Sequence, residues 1–171
     1  MDFTLIGIDP GHNTGIAFGK KDSGEILTKT LVKVKSMGKS RLFEVADSIL
    51  ESISKHPIEY VAIEDYAYGN KFFNIEVPEL VGMLLYLLSK HKPGIKVTFI
   101  PPSTVKKFIS GSGKAKKQDV QKAIKEQFDE DGIATVHEYD AIAILETFKQ
   151  VFDPNTPKDI MRKFAARTLV L

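Results

Sequence analysis

The apolar positions of this chain change their period along its length. Leu5, Ile6 and Ile8 form a short run closed by Asp9-Pro10-Gly11, and a second run resumes from Thr14 to Gly19. Runs of this length, split by Pro, Gly and Asn, predict strands at 3–9, 14–20 and 25–34 with turns at 10–13 and 21–24. From Ser40 to Lys55 the period becomes helical, with Leu42, Phe43, Val45, Ala46, Ile49, Leu50 and Ile53 on one face, and Pro57 ends it. A fourth strand, 58–65, again ends in acids. An aromatic loop, 66–74 (YAYGNKFFN), leads to an apolar helix at 76–91 and a strand at 96–102 stopped by paired prolines. A short helix follows, with Ser103 as its N-cap. The glycine- and lysine-rich stretch SGSGKAKK then opens a helix at 117–128; DEDG breaks it, and a last helix spans 136–152.

Three antiparallel strands followed by alternating helix and strand predict an α/β fold, a five-stranded mixed sheet with helices on both faces. Residues 1–152 form one domain in this reading. Residues 153–171, after Pro154 and Pro157, form a basic, partly helical extension.

Composition narrows the picture. The 171 residues suffice for one cored domain, and 43% hydrophobic with 27% charged residues is globular composition. The absence of cysteine excludes disulfide frameworks and Cys-based zinc sites. The start of the sequence carries no basic-then-apolar leader and no apolar run is long enough to cross a membrane, so a cytoplasmic protein is expected. The net charge of only +2 means that any affinity for nucleic acid must come from local clustering.

Three carboxylates stand out by position. Asp9 and Glu64 each end a strand, and Asp140 borders the apolar face of the last helix with His137 one turn earlier. If strands one and four are neighbours, Asp9 and Glu64 meet at one edge, and a helix crossing there adds Asp140 and His137. Clustered carboxylates repel one another unless a cation compensates, and Mg²⁺ favours such oxygens together with phosphate. Two such ions could clamp a phosphodiester for hydrolysis. Each residue also has an ordinary reading: Asp9 as a turn former, Glu64 as a strand-end charge, Asp140 as a surface acid, and His137 as an aid to helix initiation.

Four blocks, GIDPGHNTGIA (7–17), VAIEDY (61–66), VKKFISGSGKAKKQDVQ (105–121) and HEYDAIAI (137–144), resemble the RuvC family of Holliday junction resolvases within the RNase H-like superfamily. The resemblance implies an RNase H-like fold and a metal-dependent endonuclease that resolves four-way junctions by paired symmetric nicks. It implies catalytic and metal-binding roles for Asp9, Glu64, His137 and Asp140, with His137 either a ligand or a group that positions the attacking water, Mg²⁺ or Mn²⁺ as cofactor with two ions per site, and a homodimer. The apolar helix 76–91 is the candidate interface. The third block supplies DNA-binding candidates: Lys106, Lys107, Gly111, Gly113, Lys114, Lys116 and Lys117. Lysines attract the phosphate backbone and glycines let backbone amides approach it; Lys106 and Lys117 match family positions that face the scissile strand. The family also carries an aromatic that stacks into the junction centre. That spacing falls on Ala67 here, which leaves Tyr66, Tyr68 and Phe73 as stacking candidates. The alternatives are a nuclease for other branched, flapped or hybrid nucleic acids, an actin-like ATP-binding protein, and an inactive DNA-binding module.

Overall fold

The computed structural model describes residues 3–171 other than 12, 22, 24, 32–37, 66–74 and 129–134. A single mixed sheet forms its centre. Its strands are β1 (Leu5–Asp9), β2 (Thr14–Gly19), β3 (Ile26–Leu31), β4 (Tyr60–Glu64), β5 (Lys96–Ile100) and β6 (Thr168–Val170), in the spatial order β3-β2-β1-β4-β5-β6. The first three are antiparallel to one another, as expected. β4 and β5 then join parallel to β1, and β6 closes the far edge antiparallel to β5.

The sixth strand was not foreseen. It lies in the segment read as an appendage, and three residues, TLV, are too few for a periodic pattern to register. The same segment carries α6 (Lys158–Ala165), whose Phe164 is buried. Leu171 donates its amide to the Ile95 carbonyl at 3.1 Å, and the Thr98 and Thr168 hydroxyls share a hydrogen bond of 2.7 Å. The end of the chain is thus part of the sheet.

Helices cover both faces. α1 (Lys39–Ser54) and α2 (Glu76–His91) pack on one, where Ile6, Ile8, Val61, Ile63 and Val97 meet Ile49, Leu84 and Leu88. α3 (Pro102–Ser110), α4 (Lys117–Phe128) and α5 (Val136–Lys149) cover the other, against Leu5, Ala17, Ala62 and Ile100. The division follows from the two-residue period of a strand, which sends alternate side chains to opposite faces. α2 buries Leu80, Val81, Leu84 and Leu88 but leaves Gly82 and Tyr86 exposed, so it is not a fully buried helix. The cap of α3 differs from expectation: Pro101 is the N-cap, Pro102 is the first helical residue, and no side chain caps the helix. Proline suits this place, because the first turn has amides without helical partners. α5 ends at Lys149 and continues as one 3₁₀ turn, Gln150–Phe152. No helix among the described residues is long and apolar enough to cross a membrane.

α5 is buried on nearly every side, with Ala141, Ile142, Ala143, Ile144, Leu145 and Phe148 all inside. It lies directly on the β1–β2 hairpin because the face beneath it is made of small residues. Gly7 pairs with Ala17, Asp9 with Gly15 and Leu5 with Gly19. A Cβ on Gly7 would stand 2.6 Å from the Ala141 carbonyl oxygen and 2.8 Å from the Leu145 nitrogen, and one on Gly15 would overlap the His137 carbonyl. These are backbone atoms of a buried helix and cannot yield cheaply.

Gly7→Ala is therefore expected to destabilise the fold by about 1–3 kcal/mol through overpacking. Gly82→Ala is the control: a Cβ there meets nothing within 4 Å, and it should stabilise α2 by roughly 0.5–1 kcal/mol. Urea titrations of the two variants check both signs.

Candidate active site

Strand alternation decides which face the acids occupy. Leu5 and Gly7 face α5, so Asp9, two residues further, does too. In the parallel partner Ala62 lies against the same cluster as α5, which sends Glu64 to that face as well. Both carboxylates therefore stand at the carboxyl ends of adjacent central strands, under α5.

The start of α5 is fixed by a reciprocal cap. Thr135 Oγ1 accepts from the Glu138 amide at 3.3 Å, and Glu138 Oε2 accepts from the Thr135 amide at 3.0 Å and from its hydroxyl at 3.1 Å. Initiation belongs to this pair, which frees His137 for another role. His137 sits in the first turn and Asp140 one turn on. His137 Nδ1 lies 3.4 Å from Asp9 Oδ2, and its Nε2 lies 3.4 Å from Asn13 Nδ2. One neutral tautomer satisfies both contacts: Nδ1–H donates to Asp9, and Nε2 accepts from the Asn13 amide. Asn13 is held in its turn by Thr14, whose hydroxyl donates to the Gly11 carbonyl at 3.1 Å. Asp140 Oδ1 accepts from Gln121 Nε2 at 3.4 Å, and Oδ2 pairs with the Lys117 ammonium at the head of α4.

Asp9, His137 and Asp140 each offer a ligand atom within 4.8 Å of the others. Glu64 stands outside that triad but close enough to feel the charges of Asp9 and Asp140. Burial, and then the charge of Asp140, push the Asp9 carboxyl up to about 6; Lys117 and His137 oppose the shift. Burial, followed by Asp9 and Asp140, pushes Glu64 up to about 7 against the pull of Lys117 and Lys106. Burial also works against the Lys117 ammonium, but its hydrogen bond to Asp140 and the surrounding acids outweigh this and raise it. The donor set, carboxylate oxygens with one imidazole and a shortage of positive charge, fits a hard divalent cation.

The remaining sequence candidates divide. Lys106 and Lys117 act on the acids electrostatically. Lys107, Lys114 and Lys116 are exposed on the rim formed by α3, the following loop and α4. Gly111 ends α3 in the left-handed conformation, at φ 78°. A Cβ on Gly113 would stand 3.1 Å from the Ser103 carbonyl oxygen, so this glycine lets the loop lie close to α3. Tyr66, Tyr68 and Phe73 lie outside the described residues. Asn13 and Gln121 were missed as site residues, although both fall in the quoted blocks. The Asn13 amide meets His137, and the Gln121 amide meets Asp140, only because the turn and α4 are brought to α5.

The family model for crossover junction endodeoxyribonuclease RuvC matches residues 5–148. The chain belongs to the RuvC family. RuvC of Prochlorococcus marinus is 30% identical over 125 residues, covering 70% of this chain and 78% of its own. The solved RuvC of Thermus thermophilus superimposes with a TM-score of 0.66 at 23% identity, over 86% of this chain and 93% of its own. The same Thermus protein in complex with a Holliday junction substrate also gives 0.66, at 22% identity, over 86% and 92% of the two chains. The RuvC match stops short of α6 and β6. RuvC nucleases depend on metal, and the acidic group here is suited to one.

The raised carboxyls carry a stability cost with a defined pH range. A carboxyl that titrates at about 7 folded and at 4.5 as a free side chain binds more protons folded than unfolded between those values, so stability falls as pH rises through them. Glu64→Gln should accordingly raise the melting temperature of metal-free protein above pH 7, with the gain vanishing below pH 4.5. Mg²⁺ should raise the melting temperature of the wild type above pH 7, because a ligand of the folded state stabilises it. Thermal melts followed by circular dichroism test both; a wild type indifferent to Mg²⁺ above pH 7 would contradict the metal-site assignment.

Proposed function

We propose that this protein is a metal-dependent, structure-selective DNA endonuclease that resolves four-way junctions by paired symmetric nicks. The observation that carries this reading is the meeting of Asp9, His137 and Asp140 under α5 in a chain of the RuvC family, with Glu64 beside them. The Thermus relative solved with a Holliday junction supports the choice of substrate.

Asp9, Glu64 and Asp140 would hold the metal, Mg²⁺ or Mn²⁺, with two ions per site, and His137 would either join them through Nε2 in place of its Asn13 contact or position the attacking water. When bound, such ions would neutralise the cluster and supply charge stabilisation for phosphodiester hydrolysis, in which a water oxygen bonds to phosphorus, the bond to the leaving sugar oxygen breaks and that oxygen takes up a proton. The protein's own groups do the rest. Asp9 holds His137 in register through Nδ1, and Asn13 meets the other ring nitrogen. Lys117 pairs with Asp140, and together with Lys106 it binds the scissile strand. Lys107, Lys114 and Lys116, with the glycine-shaped loop at Gly111 and Gly113, follow the adjoining backbone. Tyr66, Tyr68 or Phe73 stacks on a base at the branch.

A four-way junction has two equivalent strands to cut, which a homodimer matches with two sites. α2 supplies the contact through the side that carries Gly82 and Tyr86. The enzyme acts in the cytoplasm.

A labelled four-way junction, a linear duplex and a flap, each incubated with Mg²⁺ or with EDTA, test this reading. Symmetric nicks confined to the junction and lost in EDTA are the expected result; equal cutting of the flap would replace the junction with branched DNA in general. Asp9→Asn should lower the cleavage rate by about 1000-fold, since stabilisation of transition-state charge by a metal is worth several kcal/mol. Lys117→Ala should weaken junction binding and reduce the slope of log K against log salt by about 1.

A further inference from the structure

The C-terminal segment lies beyond the matched residues 5–148, yet it reaches the strand that bears Glu64. Arg167 Nη1 donates to Asp65 Oδ2 across 102 positions of sequence. Asp65 directly follows Glu64, and its amide donates to the Ile100 carbonyl at 2.9 Å, extending the β4–β5 ladder by one residue. Strand alternation places its side chain on the face opposite Glu64. The peptide that joins the two acids is thus held twice: by its own ladder bond and, through Asp65, by Arg167.

The arginine starts from a fixed backbone. Its carbonyl accepts from the Phe99 amide at 3.1 Å, Thr168 to Val170 pair with β5, and Phe164 anchors α6 one turn earlier. The Thr168 hydroxyl donates to the Phe164 carbonyl at 2.9 Å, which ties β6 to α6. The guanidinium also neutralises a carboxylate adjacent in sequence to a cluster already short of positive charge.

We propose that Arg167 is a positioning residue for Glu64: by holding Asp65 from the far face of the sheet, the C-terminal segment sets the angle at which β4 presents Glu64 to the metal cluster. The proposal rests on the assignment of Glu64 as a metal-site acid. Residues that orient the groups around a metal commonly contribute 10- to 100-fold in affinity or activity, and misplacing a reacting group by a fraction of its length is enough for such a loss.

The experiment compares Arg167→Ala, Arg167→Lys, Asp65→Asn and the double variant with wild type on a four-way junction, in single-turnover cleavage across a Mg²⁺ titration. Melting temperatures are measured alongside to select an assay temperature at which all remain folded. Arg167→Ala and Asp65→Asn should each lower the maximal rate about 10-fold and raise the Mg²⁺ needed for half-maximal rate, with junction affinity within about twofold. The double variant should be no slower than the slower single one, because both remove the same contact. Arg167→Lys should recover part of the rate. A purely structural role would lower the melting temperature while leaving the rate and the Mg²⁺ requirement of the folded variants unchanged, and that result would overturn the proposal. Glu64→Gln in the same assay separates the two assignments: if it cuts normally, the assignment of Glu64 fails, whatever the arginine variants do.

Discussion

The distance between α5 and the β1–β2 hairpin governs the rest of this molecule. A helix packed on a sheet through ordinary side chains stands well off the strands. Here Gly7 and Gly15 let backbone meet backbone, so that the first turn of α5 comes down onto the end of β1. Asp9 at the last position of β1 and His137 at the second position of α5 are thereby brought within hydrogen-bonding distance although 128 residues separate them. The reciprocal cap between Thr135 and Glu138 then fixes the rotation of the helix, and Asp140 follows one turn later on the same side. Sheet topology does the remaining work by setting β4 parallel to β1, so that two strands end in acids at one place.

That arrangement concentrates negative charge where water is scarce, and the protein supports it only partly. Lys117 pairs with Asp140, and Lys106 adds its charge at a distance, but Asp9 and Glu64 still titrate well above ordinary carboxyls. A site that costs stability without its metal gains binding energy from it, since the cation relieves a repulsion that folding has already imposed. Lys117 thus has a place in both states. It balances Asp140 when no cation is present, and in the proposed complex it belongs to the loop and helix that bind phosphates.

Much of this was legible from the sequence because the signals were local. An acid at the end of an apolar run marks a strand terminus, and a three-residue spacing on a helix puts His137 and Asp140 together. Alternation along β1 and β4 then assigns a face. What escaped were the long-range pairings. Arg167 and Asp65 lie far apart in sequence, and β6 has three residues, too few to show a period. Asn13 read as a turn former, which it also is; its contact with His137 exists only once α5 has docked. Pro101 replaced Ser103 as the cap of α3 because the helix begins one residue before the serine, at a proline with no amide hydrogen to satisfy. The glycines at 7 and 15 stood in the quoted first block, but their purpose, the seating of α5, becomes visible only from the far side of the fold.

The central claim is that the cluster under α5 is a cation site whose charge Lys117 partly balances in the metal-free protein. Anomalous diffraction from crystals soaked in Mn²⁺ tests it most directly. The account predicts density for manganese bonded to carboxylate oxygens of both Asp9 and Asp140, with the Lys117 ammonium moved off Asp140. Saturating manganese that leaves those carboxylates unligated and Lys117 still paired with Asp140 would contradict it.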